Sequence, residues 1–436
     1  MFVIGTAGHV DHGKSTLTEA LTGIDPDRLS QEKERGMTIE LGFAWMTLPG
    51  GREVSIVDVP GHEKFIKNML MGVGGIDMAL LIVAADEGVM PQTVEHLAIL
   101  DLLQIKRGVV ALTKRELVDE DWIDLVSTDV LELLEDTTLA DAKIIPVSAM
   151  TGDGIPDLLV EVERVLENLP EQRDLGRPRL PVDRSFTISG FGTVVTGTLI
   201  DGRVRGGQEV EILPSGARGR IRGLQTHKEA EDEALPGTRV AINLSGVSHD
   251  EISRGDVIAS PGWLRPTKVF DASFRVIDRS PRPVKHNAST TLFTGSAESP
   301  AVVRLLNADA LAPGDSGWVQ IKLENPVPIV QGDYFVIRDS VTTLGGGVAL
   351  DLTPRRHKRH DDNITNRLQA LAEGSGEDAI VSAVELAQPA VSTTIAQAVN
   401  ESVADVTERI EGLLSSSALV SLTNTTDGPL YTIAGW

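Results

Sequence analysis

Short apolar runs alternate with longer amphipathic segments over roughly the first 170 residues. An apolar run at residues 2–4 precedes a segment, residues 15–21, whose apolar positions recur at helical spacing. Buried strands that alternate with helices are typical of a doubly wound, mostly parallel sheet. The pattern predicts an α/β domain over residues 1–170. The other segments that carry this prediction are the apolar runs 54–57, 109–112 and 144–147 and the helical pattern 155–169.

Beyond the polar segment 171–179, which we interpret as a linker, short alternating runs are separated by glycine turns. Strands at a spacing of about 8–12 residues are typical of small closed barrels. We predict one barrel over residues 180–262 and a second over residues 263–356. The runs behind this prediction are 186–188, 193–198, 209–213, 239–243, 256–258, 301–305, 317–321 and 334–337.

The last part of the chain, residues 361–436, has helical periodicity and ends in a hairpin pattern. We predict helices and hairpin strands at residues 379–386, 392–399, 403–414, 418–420 and 430–432. Helices followed by a hairpin resemble a winged helix. The expected fold is therefore multidomain, with a doubly wound α/β domain, two small β-barrels and a C-terminal winged-helix-like domain.

Composition narrows the possible functions. The chain has no cysteine, which excludes disulfides, thiolate metal sites and thiol catalysis. Its net charge of −23 argues against a generally basic nucleic-acid binder. Residues 361–436 contribute −9, from eleven acidic residues against Arg367 and Arg409, whereas basic residues cluster at 355–360. Any contact with RNA is therefore expected to be local.

Targeting signals are not evident in the chain. An apolar strand begins at residue 2, so we expect no signal peptide. No apolar run approaches the roughly 20 residues that span a membrane. We expect a cytoplasmic protein with no membrane partner.

Residues 8–15 read GHVDHGKS and match the phosphate-loop pattern GxxxxGK[ST], between a predicted strand and a predicted helix. Glycines let backbone N–H groups curl around a β-phosphate at the helix N-terminus, where the helix dipole favours an anion. Lys14 adds a cation between the β- and γ-phosphates, and the Ser15 hydroxyl can bind Mg²⁺. The predicted phosphate contacts are Val10, Asp11, His12, Gly13, Lys14, Ser15, Thr16 and Gly61.

Two further segments suit a magnesium-bound nucleoside triphosphate. Asp58 ends an apolar run, so its carboxylate can reach Mg²⁺ through water, and the Gly61 N–H can meet the γ-phosphate. Thr38 lies between the phosphate loop and the second strand, where a switch segment would supply another hydroxyl. The predicted Mg²⁺ ligands are Ser15, Thr38 and, through water, Asp58.

Two strand ends occupy the positions where a GTP-binding domain reads guanine. Thr113, Lys114 and Glu116 follow the run 109–112, and Ser148 and Ala149 follow the run 144–147. In a doubly wound sheet, the ligand crevice lies at the carboxyl ends of the strands. All these motifs lie at such ends, so the sequence predicts GTP-dependent hydrolysis with Mg²⁺.

Several longer motifs carry a family resemblance. They are residues 27–29, 32–39, 41–44, 58–70, 186–190, 192–197 and 343–347. With the GTP-binding motifs, two barrels and a helical tail, the chain resembles translational GTPases of the elongation-factor-Tu type. Within them it is similar to the selenocysteine-specific elongation factors. The resemblance implies GTP and Mg²⁺ as cofactors, and delivery of selenocysteinyl-tRNA to the ribosome at recoded UGA codons.

The resemblance also implies roles for single residues. His62 would orient the attacking water once the ribosome positions it; alternatively, it only caps the loop at the strand end. Val10 and Met37 match an apolar gate that holds the histidine back, although Met37 also suits ordinary loop packing.

By the same resemblance, a selenocysteinyl pocket falls at Asp183, Arg184 and Arg239. A selenol is an anion at neutral pH whereas a serine hydroxyl is not, so cationic donors could distinguish the two esters. Asp183 would orient an arginine. The alternative is a surface Asp–Arg pair at a barrel edge, which contributes little energy.

Two features depart from the family pattern. Glu116 stands where the guanine-reading motif normally has Asp, so we expect weaker discrimination of GTP from ATP with retained binding. The tail has room for about one winged helix, so we expect this chain not to bind the mRNA hairpin that marks the recoded codon. The chain is truncated, uses another partner, or leaves the hairpin to a separate polypeptide.

We expect a monomer whose tRNA contacts are local. Candidate contacts are Arg218, Arg220, Arg222 and residues 355–359. Alternative functions are a translational GTPase for another aminoacyl- or initiator tRNA, a regulatory GTPase that binds a protein partner and no tRNA, and a nucleotide-binding subunit of a metabolic enzyme.

Overall fold

The computed structural model describes residues 2–27, 32, 37–169, 174–373, 376–399, 403–425 and 428–435. They form two compact units, Met1–Pro261 with Phe293–Glu298, and Gly262–Leu292 with Ser299–Trp436. Parts of the motifs 27–29 and 32–39, namely residues 28, 29 and 33–36, lie outside the described residues. Residues 171–173 of the predicted linker also lie outside them.

The first domain is built on a six-stranded sheet with strand order β2–β3–β1–β4–β5–β6. Strand β2 runs antiparallel to β3, and the other neighbours are parallel. The predicted doubly wound, mostly parallel sheet is thus confirmed. Its elements are β1 (Phe2–Gly8), α1 (Lys14–Thr22), β2 (Gly42–Thr47), β3 (Glu53–Asp58), α2 (Ile66–Val73), β4 (Met78–Ala84), α3 (Pro91–Leu102), β5 (Gly108–Thr113), α4 (Glu120–Leu134), β6 (Lys143–Pro146) and α5 (Ile155–Glu167).

Helices cover this sheet, so its central strands are buried along their whole length. Every residue of β4 and β5 is buried, as expected for parallel strands with both faces covered. The carboxyl ends of β1, β3, β5 and β6 therefore share one edge of the sheet, next to the loops that carry the predicted nucleotide site.

The second domain is a curled antiparallel sheet with the path β7–β16–β11–β12–β15–β9–β8. The sheet closes where Ile200 N donates to Arg179 O (2.9 Å) and Asp183 N donates to Thr196 O (2.9 Å). Its strands are β7 (Arg179–Pro181), β8 (Arg184–Ile188), β9 (Gly192–Thr198), β10 (Val204–Arg205), β11 (Glu209–Leu213), β12 (Ala217–Thr226), β13 (Glu229–Glu231), β14 (Glu233–Ala234), β15 (Arg239–Ser245) and β16 (Val257–Ala259).

The third domain is a closed barrel with strand order β17–β22–β20–β19–β23–β24. Phe270, Phe274 and Phe335 are among its fully buried side chains. Its strands, with the short pair β18 and β21, are β17 (Thr267–Val276), β18 (Val284–Lys285), β19 (Ala288–Thr294), β20 (Ala297–Leu305), β21 (Ala310–Leu311), β22 (Ser316–Val327), β23 (Tyr334–Arg338) and β24 (Thr343–Asp351). The two predicted barrels are thus confirmed.

The C-terminal part contains helices α6 (Asp362–Glu373), α7 (Gly376–Ala387), α8 (Ser392–Val399) and α9 (Val403–Ser415), and strands β25 (Ala390–Val391), β26 (Leu419–Thr425) and β27 (Gly428–Ile433). Helix α6 was not predicted. Leu368 of this helix packs with Leu306 and Leu350 of the barrel. Helices α7–α9 instead share a separate apolar core. Helices α7–α9 and the β26–β27 hairpin follow the predicted order, and the winged-helix assignment remains a prediction.

No helix among the described residues has the length and apolar character needed to cross a membrane.

Candidate functional site

The predicted phosphate loop connects β1 to α1. Asp11 and Gly13 adopt positive φ angles of 63° and 83°, which curl the backbone ahead of the helix. The Lys14 ammonium is buried and donates to the carbonyls of Gly8 (3.2 Å) and His9 (2.5 Å). Burial lowers the pKa of Lys14 to about 8. A buried cation bonded mainly to carbonyls suits an anionic ligand.

The three predicted Mg²⁺ ligands come together beside the loop. Ser15 Oγ donates to Asp58 Oδ2 (2.7 Å) and lies 2.8 Å from Thr38 Oγ1. Thr38 Oγ1 in turn donates to Asp27 Oδ1 (2.9 Å), a carboxylate that was not among the predicted ligands. Thr6 Oγ1 donates to Asp58 Oδ1 (2.8 Å). Hydroxyl and carboxylate oxygens are the ligands that Mg²⁺ prefers, so this cluster fits the ion.

Burial raises the pKa of Asp58 to about 6, against the opposing effect of the hydrogen bonds from Ser15 and Thr6. A cation beside this carboxylate would favour its ionised form.

Gly61 packs directly against the phosphate loop. A Cβ atom at this position would lie 2.2 Å from Lys14 Nζ and 2.7 Å from Val10 N. Any side chain here would occupy the space beside the lysine ammonium. Glycine at this position therefore lets the backbone approach the lysine ammonium closely.

His62 caps the single-turn 3₁₀ helix Glu63–Phe65, and its Nδ1 accepts from Lys64 N (3.2 Å). The imidazole is partly exposed, as are Val10 and Met37. The capping bond matches the structural alternative for His62. The catalytic role and the apolar gate remain predictions.

The predicted guanine-binding strand also supports the phosphate loop. Thr113 Oγ1 donates to His12 O (2.7 Å), so the threonine ties the end of β5 to the loop. Lys114 has a positive φ of 57° and its ammonium pairs with Asp86 (3.3 Å) and Glu87 (3.1 Å). These two acidic partners were not recognised in the sequence.

The remaining guanine-site residues lie at the neighbouring strand ends. Glu116 is exposed, in a single 3₁₀ turn after β5. Ser148 is buried after β6, and its Oγ accepts from Thr151 N (3.1 Å). Ala149 follows it and is partly exposed.

Two buried histidines, His12 and His96, hold the phosphate loop in place by accepting hydrogen bonds from backbone N–H groups. His12 Nδ1 accepts from Ala84 N (3.1 Å), and burial lowers the pKa of His12 to about 4. His96 Nδ1 accepts from Gly8 N (3.1 Å). An acceptor nitrogen requires a neutral imidazole at both positions. His96, on α3, was missed because no sequence motif links it to a loop 88 residues away.

The predicted selenocysteinyl pocket is assembled around an ion pair. Arg239 donates to both oxygens of Asp183, at 2.5 and 3.0 Å, and Thr196 Oγ1 also donates to Asp183 (2.6 Å). Both partners are largely buried. Burial alone would raise the pKa of Asp183, but the Arg239 guanidinium holds it below its usual range.

Arg184 joins this pair at the start of β8. Its Nη2 donates to Leu41 O (2.5 Å) and lies 3.6 Å from a Glu40 carboxylate oxygen. The guanidinium carbons of Arg239 and Arg184 lie 3.3 and 4.9 Å from the centre of the Phe43 ring. The three predicted pocket residues are thus brought together, and Phe43 is an addition that the sequence did not indicate.

Family models match three parts of the chain. They are the elongation factor Tu GTP-binding domain (residues 1–168), elongation factor Tu domain 2 (residues 192–259) and the β-barrel domain of selenocysteine-specific elongation factors (residues 272–356). The crystal structure of a bacterial selenocysteine-specific elongation factor is similar over 100% of this chain and 70% of its own, with 30% identity and a TM-score of 0.84. The chain belongs to the selenocysteine-specific elongation factor family.

Other selenocysteine-specific elongation factors support the assignment. The factor from Desulfomicrobium baculatum is 44% identical over 88% of this chain, and that from Escherichia coli is 39% identical over 89%. The Methanococcus maripaludis factor in complex with the GTP analogue GppNHp has a TM-score of 0.72 at 29% identity, over 81% of this chain and 79% of its own. The chain spans only 61% and 62% of the two sequence relatives.

A basic cavity of about 480 Å³, open to solvent, lies on the barrel that the family's own domain model matches. Within the part of the chain that the structure describes, Arg304, Arg356 and Lys358 line it without an ion-pair partner. His357 Nε2 and Gln320 Nε2 both contact the buried Asp271 carboxylate, at 2.5 and 3.0 Å. Residues 356–359 of the predicted RNA-contact cluster 355–359 thus form one wall of a cavity.

Proposed function

We propose that this chain is a GTP-dependent carrier of selenocysteinyl-tRNA that acts as a monomer in the cytoplasm. It delivers the aminoacyl-tRNA to the ribosome at recoded UGA codons and hydrolyses GTP there. The observation that carries the proposal is the cluster of Asp183, Arg184 and Arg239, beside a domain with the elements of a GTP site. The domain division at residues 170, 180, 263 and 361 belongs to the same proposal.

The pocket chemistry supports discrimination between the two esters. A guanidinium has five N–H donors, and Asp183 engages only one edge of Arg239. The donors on the other edges of Arg239 can bond a selenolate anion, which a seryl hydroxyl does not replace. One charge-assisted hydrogen bond contributes about 1.5–3 kcal/mol, which corresponds to roughly ten- to a hundredfold in affinity.

The nucleotide site supports GTP binding and hydrolysis. Lys14, the loop N–H groups and Gly61 hold the phosphates, while Thr113, Lys114, Glu116, Ser148 and Ala149 border the guanine. Ser15, Thr38 and, through water, Asp58 would hold Mg²⁺, which would neutralise charge on the phosphate oxygens. His62 orients the attacking water when the ribosome moves it past Val10 and Met37.

The role of His62 has a direct test. His62→Ala should reduce the ribosome-stimulated rate of GTP hydrolysis by about 10²–10⁴, the usual range for a positioned acid–base group. The GTP affinity should be unchanged because, among the described residues, the hydrogen bond of the His62 side chain is to the backbone of its own turn. An unaltered stimulated rate would leave His62 as a capping residue only.

The carrier function is tested by the affinity of the GTP-loaded protein for selenocysteinyl-tRNA and for seryl-tRNA with the same tRNA body. We expect a preference for selenocysteinyl-tRNA of at least about tenfold. Arg184→Ala and Arg239→Ala should reduce it. Arg205→Ala is the matched control, because this exposed arginine of the same domain pairs with Glu233 (2.9 Å). Equal affinity for the two tRNAs in the unmodified chain would contradict the proposal.

A further inference from the structure

Two acidic residues, Asp86 and Glu87, lie in the loop that follows β4. This strand lies between β1, which leads into the phosphate loop, and β5, which ends at the proposed guanine site. The backbone fixes the loop: Ala85 N donates to Thr113 O (2.8 Å), and Gly88 turns the chain with a positive φ of 70°. The carboxyl ends of parallel strands meet at one edge of a sheet, so the loop lies between the proposed phosphate and guanine sites.

Both carboxylates hold the ammonium of Lys114. Its Nζ lies 3.1 Å from Glu87 Oε1 and 3.3 Å from Asp86 Oδ2. Burial alone would lower the pKa of Lys114, but the two carboxylates raise it above its ordinary value. All three side chains are partly exposed, and ion pairs of this kind contribute little to stability. Their main effect is to fix the direction in which the lysine extends.

Glu87 also faces the phosphate loop. His12 Nδ1 accepts from a backbone N–H, and burial lowers the pKa of this histidine to about 4, so the neutral ring carries its proton on Nε2. That buried N–H has no hydrogen-bond partner among the described residues, and Glu87 Oε2 lies 3.9 Å from Nε2. The two oxygens of Glu87 thus face Lys114 and His12. One carboxylate therefore links the proposed guanine site to the phosphate loop.

A lysine whose ammonium is held in place offers its methylene stem as an ordered apolar surface. A lysine without such partners loses rotamer freedom when a ligand packs against it, and that loss lowers the affinity. Lys114 has already lost this freedom in the nucleotide-free chain because two carboxylates hold it. Every nucleotide base has a flat face that packs on an apolar surface, whatever hydrogen bonds its edge makes.

We propose that Asp86 and Glu87 are positioning residues that hold Lys114 ready for the nucleotide base and connect it, through Glu87, to the phosphate loop. The inference rests on the proposed place of Lys114 in the guanine site. Since the lysine stem packs on the face of the base and not on its edge, the acidic pair strengthens the binding of GDP, GTP and ATP by the same factor. It differs in this from Glu116, whose proposed contact is with the edge of guanine.

The test removes both charges with little change of shape, in the double variant Asp86→Asn with Glu87→Gln. Titrations of the nucleotide-free chain measure the affinities for GDP, GTP and ATP. We expect the double variant to lose about three- to tenfold in affinity for each nucleotide, the usual cost of ordering one long side chain. The preference for GTP over ATP should be unchanged.

The same double change in a Lys114→Met background separates positioning from charge. Removal of two negative charges by itself favours an anionic ligand, so the charge effect opposes the positioning effect. In Lys114→Met there is no ammonium to hold, and the double change should leave the affinity unchanged or increase it. An effect of the same size and sign in both backgrounds, or no effect in either, would overturn the proposal because the pair would then act independently of Lys114.

Glu120 provides the matched control. It pairs with Arg115, the residue after Lys114, at 3.2 Å and is exposed. Glu120→Gln therefore removes a negative charge from the partner of a neighbouring cation, and it should leave all three affinities unchanged. A loss in Glu120→Gln as large as that in the double variant would overturn the proposal, since any charge at this end of the sheet would then act alike.

Lys114→Met alone separates this inference from the proposed base site. If Lys114→Met keeps the full affinity for GDP, the lysine does not contact the nucleotide, and both the base site and the role of the acidic pair are overturned. If Lys114→Met loses affinity while the double change acts equally in both backgrounds, the base site stands and only the positioning role of Asp86 and Glu87 is overturned.

Discussion

At the scale of single residues, the charged form of Asp58 lowers the stability of the folded chain but suits the binding of Mg²⁺. Burial raises the pKa of this carboxyl to about 6 in the nucleotide-free chain, so the folded state binds the proton more tightly than the unfolded state does. The associated stabilisation is fully present below about pH 4 and is lost as the pH rises through about 6. At neutral pH the folded chain carries a buried charge that Mg²⁺ would neutralise.

We therefore expect Asp58→Asn to stabilise the nucleotide-free chain at pH 7.5 by on the order of 2 kcal/mol. The figure is below the full effect of the shift because Lys14 loses a nearby opposite charge. The gain should disappear near pH 4, while the Mg²⁺-dependent part of the GTP affinity should be lost. Urea unfolding at both pH values and GTP titrations with and without Mg²⁺ would check this. A gain that persists at pH 4 would contradict the assignment.

Glu116 gives a second prediction at this scale. An aspartate here would accept from two guanine N–H groups, and the additional methylene of glutamate loosens that geometry. Glu116→Asp should therefore increase the preference for GTP over ATP by about tenfold, the contribution of one charge-assisted hydrogen bond. Glu116→Ala is the control and should lower the preference. Competition titrations with the two nucleotides measure both, and an unaltered preference in both variants would exclude Glu116 from base recognition.

The sequence was enough to predict candidate site residues at strand ends. It was not enough to predict those that other parts of the fold bring to the site. Ser15, Asp58 and Thr113 follow from motifs in their strand–loop context. Asp27 lies outside any strand end, so no topological rule indicated its place in the magnesium cluster. Phe43 and Leu41 contact Arg184 only because the second domain packs against β2 and the residue before it. The contact between Leu41 and Arg184 joins residues that are 143 positions apart in the chain. Such separations leave no trace in local periodicity.

At the scale of elements, two glycines of β24 explain part of a family motif. A Cβ atom at Gly345 would lie 2.2 Å from Arg275 O, and one at Gly347 would lie 1.8 Å from Ser273 O. Both oxygens belong to the neighbouring strand β17. Strands β17 and β24 can therefore pair at these positions only because β24 has no side chains there. The glycines of the motif at residues 343–347 are required by this close approach of the two backbones.

Gly347→Ala should destabilise the barrel by about 3 kcal/mol or more, because β17 and β24 must separate. Gly412→Ala is the contrasting variant: the position is in α9, with no atom within 4 Å of a Cβ there. It should stabilise its helix by about 0.5–1 kcal/mol. Hydrogen exchange of the β17, β24 and α9 amides separates these effects in a multidomain chain. Full protection of β17 and β24 in Gly347→Ala would contradict the close-approach argument.

Helix α6 was overlooked at the scale of elements, although its apolar positions have helical spacing. Of its side chains only Leu368 is buried, and that residue packs with barrel residues Leu306 and Leu350. Ile364 and Leu371, one turn to either side of Leu368, pack against the same cluster, so the helix has an apolar stripe at positions i, i+4 and i+7. Helices α7–α9 share a continuous apolar core with β26 and β27, and their apolar positions were accordingly visible in the sequence.

At the scale of the whole molecule, the chain is strongly acidic, so the proposed contact with the polyanionic tRNA requires a local basic surface. The net charge is −23, yet the cavity on the second barrel has three cations, Arg304, Arg356 and Lys358, without ion pairs in the described structure. When such cations neutralise phosphates, the counterions condensed on the nucleic acid are released, which makes the affinity depend on salt. We propose this cavity as a contact for the tRNA backbone.

Arg304→Ala and Arg356→Ala should therefore weaken binding of selenocysteinyl-tRNA and seryl-tRNA equally, because backbone contacts carry no information about the ester. Each lost phosphate contact should also make the slope of log K against log salt concentration shallower by about 0.7–0.9. Arg282→Ala is the matched control, since this exposed arginine of the same barrel already pairs with Asp339 (2.6 Å). Titrations between about 50 and 200 mM salt measure the slopes. If both cavity variants kept the slope of the unmodified chain, or lost affinity for only one of the two esters, the cavity would not be a backbone contact.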